Sequence, residues 1–246
     1  MDKMLYIAMN GGKQALKSQS VVSNNLANVS TTGFRSEFDV FRSLRVEGEG
    51  FDSRVYNYNQ KEGINFEAGP LMTTGRELDI AVRGEGFIAV QGKDGTEAYT
   101  RAGDLLLDAN GFLTTGTGRP VLGNGGPIAI PPASKVDIGV DGTISIIPLG
   151  QNTDTVAVVD RIRLVNPDQE QLIKGADGLL RQQNGEAALA DAGVTLVSGA
   201  IEGSNVNAMS ELLSMISTSR QFETQIKLMS TAEDIDSASA TLLRQR

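Results

Sequence analysis

The apolar positions near both ends of the chain follow a regular spacing of three and four residues. This spacing predicts a narrow stripe along one face of a helix, as in the seam of a coiled coil. The N-terminal stripe consists of Leu5, Ala8, Gly12, Ala15, Gln19, Val22 and Leu26. The C-terminal stripe consists of Leu212, Met215, Ser219, Phe222, Ile226 and Met229. Since each stripe needs a partner, we expect the two terminal helices to pair with each other.

The length and composition of the stripes suggest a further partner. A helix of about 25 residues is roughly 37 Å long, which is more than a small domain covers. Gly12, Gln19 and Ser219 bury little apolar area, so a lone pair of such helices would be marginally stable. We therefore expect part of the seam to face other subunits. The alternative is an ordinary intramolecular core, and the pattern alone leaves it open.

The spacing changes in the C-terminal stripe after Met229. Continuing it would place Glu233 and Asp236 in the seam, whereas the apolar residues are Ala232, Ile235, Ala238 and Leu242. A shift of this kind alters a supercoil locally. We predict that the helix changes partners at this point.

The sequence from about Gly33 to Asn205 predicts strands. Short runs of valine, isoleucine and leucine alternate with turn dipeptides, which are typical of β-hairpins. The clearest turns are Asp94-Gly95, Asn110-Gly111 and Asp141-Gly142. The predicted fold class is therefore α+β, with a mainly antiparallel β body between two helices. We divide the chain into an N-terminal assembly helix and signature loop (1–35), a β-rich body (36–204) and a C-terminal assembly helix (205–246).

Composition excludes several classes of function. The formal net charge is −8 and the basic residues form no runs, so a nucleic-acid partner is not expected. Cysteine and histidine are absent, which removes disulfides, thiolate metal sites and the commonest general base. No stretch reaches the roughly 20 apolar residues of a membrane span, and the N-terminus does not resemble a cleaved signal peptide.

Candidate catalytic and metal-binding motifs are weak. The sequence 84–87 contains half of a dinucleotide fingerprint but no third glycine on spacing, and it predicts a turn at a strand edge. The sequence 108–111 resembles part of a calcium loop, but the later glutamate is missing and a hairpin turn is favoured. Acidic side chains near short strands could form a glycosidase pair, although solvated faces are the simpler interpretation. They are Asp79, Glu85, Asp104 and Asp108. We predict no catalytic residue, cofactor or metal.

Three blocks of sequence, in order along the chain, resemble the bacterial flagellar rod and hook protein family. The first is SNNLANVSTTGFR at 23–35. The second consists of 78–82, 84–87 and the sequence YTRAG at 99–103. The third is EGSNVN at 202–207, followed by 211–213 and 220–223. The run 120–128 and the short segment between Phe34 and Leu78 are similar to the proximal-rod members of the family.

The resemblance implies a structural, non-enzymatic subunit of the proximal rod of the flagellar basal body. In this family the terminal helices form the inner tube, the β body forms the outer layer, and the stack transmits torque. Members pass unfolded through the flagellar type III export apparatus without a cleaved signal peptide and assemble in the periplasm. The implied partners are this apparatus and other proteins of the proximal and distal rod, with no direct membrane span.

The resemblance also adds residues to the expected assembly interface. Beyond the two stripes these are Asn24, Asn25, Asn28, Gly33, Phe34, Ser204 and Asn205. The asparagine amides are expected to bind the C-terminal carbonyls of the first helix and neighbouring backbone. Three alternatives remain open: a distal-rod or hook paralogue, an extracellular β-rich binding protein, and an enzyme that cleaves cell-wall carbohydrate.

Overall fold

Two long helices flank a series of short strands in the computed structural model, which describes residues 3–45, 55–151 and 155–244. The helices are α1 (Lys3–Ala27) and α2 (Ala208–Arg244). The strands are β1 (Glu37–Arg45), β2 (Val55–Ile64), β3 (Leu71–Thr73), β4 (Ile80–Arg83), β5 (Phe87–Gln91), β6 (Glu97–Thr100), β7 (Leu105–Leu107), β8 (Leu113–Thr115), β9 (Ala133–Ile138), β10 (Thr143–Pro148), β11 (Ala157–Arg161), β12 (Leu164–Val165), β13 (Leu172–Lys174), β14 (Leu180–Gln182), β15 (Thr195–Ser198) and β16 (Ala200–Glu202). All described strand pairs are antiparallel, which confirms the predicted α+β class.

The chain forms two compact units, and each is discontinuous in sequence. The first takes its residues from Met1–Val29, Ser36–Asn65 and Val206–Arg246, and the second from Ser30–Arg35 and Phe66–Asn205. Residues 36–65, which the sequence analysis assigned to the β body, thus belong to the same unit as the helices. The three-part division of the chain stays a prediction.

In the first unit α1 and α2 pack side by side in opposite directions. Asn25, near the end of α1, contacts Glu211 at the start of α2, and Gly12 of α1 lies beside Phe222 further along α2. Strands β1 and β2 form a hairpin with a bulge between Val40 and Phe41, and this hairpin packs on α1. The first unit is therefore a helix pair with an added hairpin.

The second unit is built from small antiparallel sheets. A five-stranded sheet has the order β12-β5-β6-β14-β13, and a three-stranded sheet has the order β11-β10-β9. The pairs β15-β4, β16-β3 and β7-β8 complete the described strands. Its core is aliphatic, with Ile80, Ile88, Leu105, Leu113 and Ile144 fully buried. Apolar burial of this kind is the main favourable contribution to folding.

The turns of the second unit follow the predicted dipeptides. The hairpins β5-β6, β7-β8 and β9-β10 close at Gly95, Gly111 and Gly142, each with positive φ. In each turn the preceding aspartate accepts a hydrogen bond from a backbone N–H two residues later. The three predicted hairpins are confirmed. No described helix is long and apolar enough to span a membrane.

Candidate assembly site

The face of α2 that α1 covers is regular but differs from the predicted stripe. The covered positions again follow spacings of three and four residues, and they are Ala208, Glu211, Met215, Thr218, Phe222, Gln225, Met229 and Ala232. Met215, Phe222 and Met229 belong to both sets, and Ser219 is partly covered beside them. Leu212 and Ile226 are exposed at the edge of this face. Several positions facing α1 are thus small or polar, while apolar neighbours face solvent.

The face of α1 that meets α2 is made of small residues. Ala8, Gly12 and Ala15 are buried, and Val22 and Leu26 are partly buried. A side-chain carbon on Gly11 would lie 2.8 Å from Cδ of Gln225, so the carboxamide of Gln225 packs against α1 at this glycine. The residues of the predicted N-terminal stripe are thus covered at least in part, apart from its first residue, Leu5, and Gly12 among them lies against α2.

Large apolar side chains of both helices are exposed outside this seam. On α1 they are Leu5, Tyr6, Met9 and Leu16. On the first turns of α2, Met209 is 72% exposed and Leu213 is 68% exposed, and Leu212 and Ile216 lie near them. The hairpin also points Phe38 and Val40 outward, whereas Asp39 accepts a hydrogen bond from Ser18 of α1. The described side chains that the first unit buries fully are therefore small or polar, and several large apolar side chains remain exposed.

The predicted change of phase after Met229 is wrong for the face that α1 covers. This face keeps its spacing through Ala232, which is buried. The described side chains that follow, from Glu233 to Thr241, are all exposed. The apparent shift arose because the sequence analysis assigned apolar neighbours to the seam. In the structure α2 loses its cover after Ala232.

Asn25 joins three elements of the first unit and is only 2% exposed. Its Nδ2 donates to the carbonyl of Glu37 at 2.8 Å, and its Oδ1 accepts from the Glu37 N–H at 2.9 Å. The same Nδ2 lies 3.2 Å from Oε1 of Glu211. One carboxamide thus serves as the hydrogen-bonding partner of a strand residue and also contacts α2. Only a side chain with both a donor and an acceptor at this position can do so.

Asn28 completes the C-terminal end of α1. Its Nδ2 donates to the carbonyl of Asn24 at 2.9 Å and lies 3.5 Å from the side-chain oxygen of Asn24. The Asn24 carbonyl also accepts from the backbone N–H of Asn28 at 3.2 Å, so the side chain adds a second hydrogen bond to a carbonyl in the last turn of the helix. The predicted contacts of the asparagine amides with backbone are confirmed for Asn25 and Asn28.

A buried charge triad, formed by Arg35, Arg101 and Glu202, lies within the second unit. Glu202 is 1% exposed, and its two carboxylate oxygens lie 2.7 Å from Nη2 of Arg35 and 3.0 Å from Nη1 of Arg101. Its Oε1 also accepts from the N–H of Gly69. Nη2 of Arg101 donates to the carbonyl of Gly84 at 2.6 Å, and its guanidinium lies over the ring of Phe87. Burial lowers the pKa of Arg101, Glu202 opposes this shift, and the cation of Arg35 adds to it.

The remaining residues of the expected interface lie around this triad. Gly33 has positive φ, and a side-chain carbon there would overlap the backbone of Arg101 and Ala102. Its N–H donates to the carbonyl of Glu202, and the N–H of Asn205 donates to the carbonyl of Phe34. Nζ of Lys174 lies over the ring of Phe34, 3.9 Å from the ring centroid, and Ser204 is buried. Residues 33–35 and 202–205, which are far apart in the sequence, therefore meet inside the second unit.

Three family descriptions match separate parts of the chain. Residues 5–35 match "Flagella basal body rod protein", residues 81–146 match "Flagellar hook protein FlgE/F/G D1 domain", and residues 197–242 match "Flagellar basal body rod FlgEFG protein C-terminal". The chain is 39% identical to the flagellar basal-body rod protein FlgF of Escherichia coli K12, over 95% of each chain. The chain belongs to the flagellar basal-body rod protein family. It is a structural subunit of the flagellar basal-body rod.

Other members of the rod protein family cover nearly the same length. FlgF of Salmonella typhimurium is 36% identical over 99% of each chain, and FlgG of Bacillus subtilis is 34% identical over 96% of this chain and 97% of its own. These identities favour FlgF. Each of the three matched regions of the rod protein contributes one member of the charge triad, namely Arg35, Arg101 and Glu202.

The three members of the triad lie in the sequence blocks that resemble the family, but no role was predicted for them. Arg35 ends the first block, Arg101 lies in the second, and Glu202 opens the third. The signal in the sequence was a single charged residue in each of the segments 23–35, 99–103 and 202–207, which otherwise consist mainly of small and polar residues. Opposite charges in such separate blocks are candidates for a buried pair, because charged residues are seldom buried without a partner.

The four carboxylates considered as a glycosidase pair have other contacts. Asp79 lies 2.8 Å from Nη2 of Arg76 and accepts from the hydroxyl of Thr74 at 2.7 Å. Burial raises the pKa of Asp104, and the charge of Asp79 adds to the effect. Asp108 accepts from backbone N–H groups of its own hairpin turn, which lowers its pKa. Glu85 is exposed. Asp108 therefore matches the hairpin turn that the sequence predicted.

Proposed function

We propose that this rod subunit polymerises axially in the proximal rod through its two terminal helices and transmits torque through the resulting stack. The observation that carries the proposal is the distribution of apolar side chains in the first unit. Among the described residues, the helix pair fully buries only small or polar side chains, covers Met215, Phe222 and Met229 in part, and exposes other large apolar residues on its outer faces. This distribution suits a subunit whose main apolar contacts are made with other subunits.

The energetic argument concerns the side chains that the isolated chain leaves in solvent. Burying one side chain of the size of leucine, isoleucine or methionine contributes about 1.5–3 kcal/mol. Several apolar side chains gain only part of this contribution within one chain, since each is about half exposed or more; they are Leu5, Met9, Leu16, Leu213 and Ile216. In a tube of packed helices the same residues would be covered by neighbouring subunits. Assembly would then supply the stabilisation that the isolated helix pair lacks.

The location and partners follow from the family. We propose that the chain leaves the cell through the flagellar type III export apparatus without a cleaved signal peptide and assembles in the periplasm. Its partners in the basal body would be other proteins of the proximal and distal rod, and it would have no enzymatic activity. Support comes from the relatives. They are named as flagellar basal-body rod proteins, and they match this chain over nearly its whole length.

The assignment to the proximal rod rests on resemblance to FlgF. FlgF of E. coli is 39% identical and FlgG of B. subtilis is 34% identical, which favours FlgF by a small margin. The short segment between Phe34 and Leu78 agrees with this choice. A distal-rod or hook paralogue is the alternative within the family.

Ile226→Asp tests the proposal, with Lys227→Asp as the matched control. Ile226 is 44% exposed at the edge of the seam, so a charge there costs the isolated chain little, and we expect its melting midpoint to change by less than about 3 °C. In a packed tube the same charge would be buried without a partner, which is strongly destabilising. Cells with Ile226→Asp should export the protein but build no functional rod, whereas cells with Lys227→Asp should swim.

Two results would overturn the proposal. Normal swimming by cells that carry Ile226→Asp would leave this edge of the seam without a role in assembly. Collapse of the purified Ile226→Asp chain would place the residue in a closed intramolecular core.

A further inference from the structure

The last segment of the second unit closes over strands from its beginning. We call Thr195–Asn205 the C-terminal strap; it contains β15, β16 and the three residues that follow. β15 pairs with β4, and β16 pairs with β3. In addition, the N–H of Gly199 donates to the carbonyl of Asp79 at 2.7 Å, and the N–H of Gly203 donates to the carbonyl of Pro70 at 2.8 Å. The strap is thus hydrogen-bonded to the start of the unit along most of its length.

The strap pairs with strand β4 and helps to bury its apolar side chains. Within the described residues, β15 is the only strand in a sheet with β4, and Ile80, Ala81 and Val82 of β4 are buried. Leu196 of the strap belongs to the same aliphatic core. If the strap opened, β4 would lose its strand partner, and its apolar side chains would be partly exposed to solvent. Buried backbone groups without partners are strongly disfavoured.

The strap also supplies the only carboxylate that contacts Arg35 and Arg101 among the described ion pairs. Both arginines are nearly fully buried, so opening the strap would leave two cations in a poorly solvated site. Removing one partner of a buried ion pair is far more costly than the net contribution of the intact pair. Glu202 is thus the buried carboxylate that pairs with both cations, and the exposed Glu85 acts on Arg101 more weakly. Because of the triad, we expect the strap to open only when the surrounding fold is also lost.

The contacts of the strap are also remote in sequence. The hairpins β5-β6 and β9-β10 close over a few residues, whereas β15 and β16 pair with residues about 110 to 130 positions earlier. Local hairpins can form early, but pairings of high sequence separation bear the full entropy of closing a long loop. The strap is the last part of this unit in chain order.

We infer that the second unit has no folded state in which the C-terminal strap is open, so that it folds only when the chain is available through Asn205. A chain that ends before the strap would therefore leave this unit unfolded. This property belongs to the second unit alone and does not depend on assembly of the helices. It can therefore fail or hold independently of the proposed function.

Native-state hydrogen exchange of the full-length chain, resolved by residue, tests the inference. If the strap opens only when the whole unit unfolds, its amides exchange with the same opening constant as core amides. After correction for intrinsic rates, we expect the N–H groups of Leu196, Gly199 and Gly203 to match those of Ala89 and Val121 within about threefold. Strap amides that exchange at least about tenfold faster, while the core stays protected, would overturn the inference.

Glu202→Gln is the variant test, and Glu186→Gln, at an exposed site in the same unit, is its control. Loss of the charge that balances Arg35 and Arg101 should accelerate exchange of strap and core amides by one common factor, at least about a hundredfold. Complete unfolding of the second unit by Glu202→Gln would agree with the inference. Acceleration confined to the strap, with Ala89 and Val121 unchanged, would contradict it.

Discussion

At the scale of single residues, Asn25 fixes the arrangement of the first unit. Its carboxamide forms hydrogen bonds with the backbone N–H and C=O of Glu37, as a neighbouring strand would, and it also contacts Glu211. One side chain thus links α1, β1 and α2. Buried polar side chains of this kind can set the register of paired helices. The sequence predicted that this amide bonds neighbouring backbone, but no local pattern pointed to Glu37 or Glu211.

Asn25→Asp should destabilise the helix pair. The substitution removes the donor to the Glu37 carbonyl and places a carboxylate beside Glu211, which leaves buried groups unsatisfied and adds repulsion. We expect a loss of about 2 kcal/mol or more, measured by thermal unfolding followed by circular dichroism at 222 nm. Asn24→Asp, at an exposed neighbouring position, should cost less than about 1 kcal/mol. Equal losses for both variants would show that the buried amide has no special role.

Gly33→Ala should destabilise the second unit through lack of space. A methyl group at Gly33 would overlap the backbone of Arg101 and Ala102, and the positive φ adds a further cost, so we expect a loss of about 3 kcal/mol or more. Gly75 has a similar positive φ but no atom within 4 Å of such a methyl group. Gly75→Ala should therefore cost only about 1–2 kcal/mol. Urea unfolding of the two variants measures the difference, and similar losses would contradict the argument.

At the scale of elements, local signals predicted local structure. The turns at Gly95, Gly111 and Gly142 could be identified because the dipeptide itself determines the backbone conformation of a short hairpin. Strands β15 and β16 gave no comparable signal for their partners, since nothing in a short strand specifies a residue more than 100 positions away. The hairpins were therefore predictable, but the sheet pairs that close the second unit were not.

The seam of α2 shows a different limit of the sequence pattern. Apolar periodicity selected Leu212 and Ile226, whereas the positions facing α1 include Glu211, Thr218 and Gln225. The usual assumption that apolar residues face inward fails for a helix with two kinds of neighbour. Small and polar residues allow the close intramolecular contact, and the apolar edge is left for other contacts. The helix was predicted correctly, but its inward face was displaced by about one position.

The hairpin β13-β14 provides a test of the electrostatics of a turn. Asp177 accepts hydrogen bonds from Nη1 and Nη2 of Arg181, both at 2.8 Å, and these bonds lower its pKa to about 2. A carboxyl group whose pKa is lower in the folded state stabilises the fold above its unfolded pKa of about 3.8, and this contribution disappears as the pH falls towards 2.

Asp177→Asn should therefore reduce the free energy of unfolding at neutral pH, and this loss should become smaller at acidic pH. The difference from the unsubstituted chain should be constant from pH 7 to about 5 and should narrow between about pH 4 and 2. Urea unfolding at a series of pH values measures it. A difference that does not change down to pH 2.5 would show that the charge of Asp177 contributes nothing to the turn.

At the scale of the whole molecule, the two units differ in what their own contacts provide. The second unit has a continuous aliphatic core and a buried charge triad closed by its C-terminal strap. In the first unit the fully buried described side chains are small or polar, and several large apolar side chains are exposed. We therefore expect the first unit to open more readily than the second in the purified chain.

The most direct test of the account is whether the exposed apolar face of α2 becomes covered in the rod. The chain contains no cysteine, so Leu213→Cys introduces a single thiol on this face, and Leu189→Cys, on an exposed loop of the second unit, controls for access of the reagent. The measurement is the rate of maleimide labelling in the purified chain and in isolated basal bodies. We predict rapid labelling of Leu213→Cys in the purified chain and at least about tenfold slower labelling in basal bodies. Equal rates in both would contradict the claim that the terminal helices form the assembly interface.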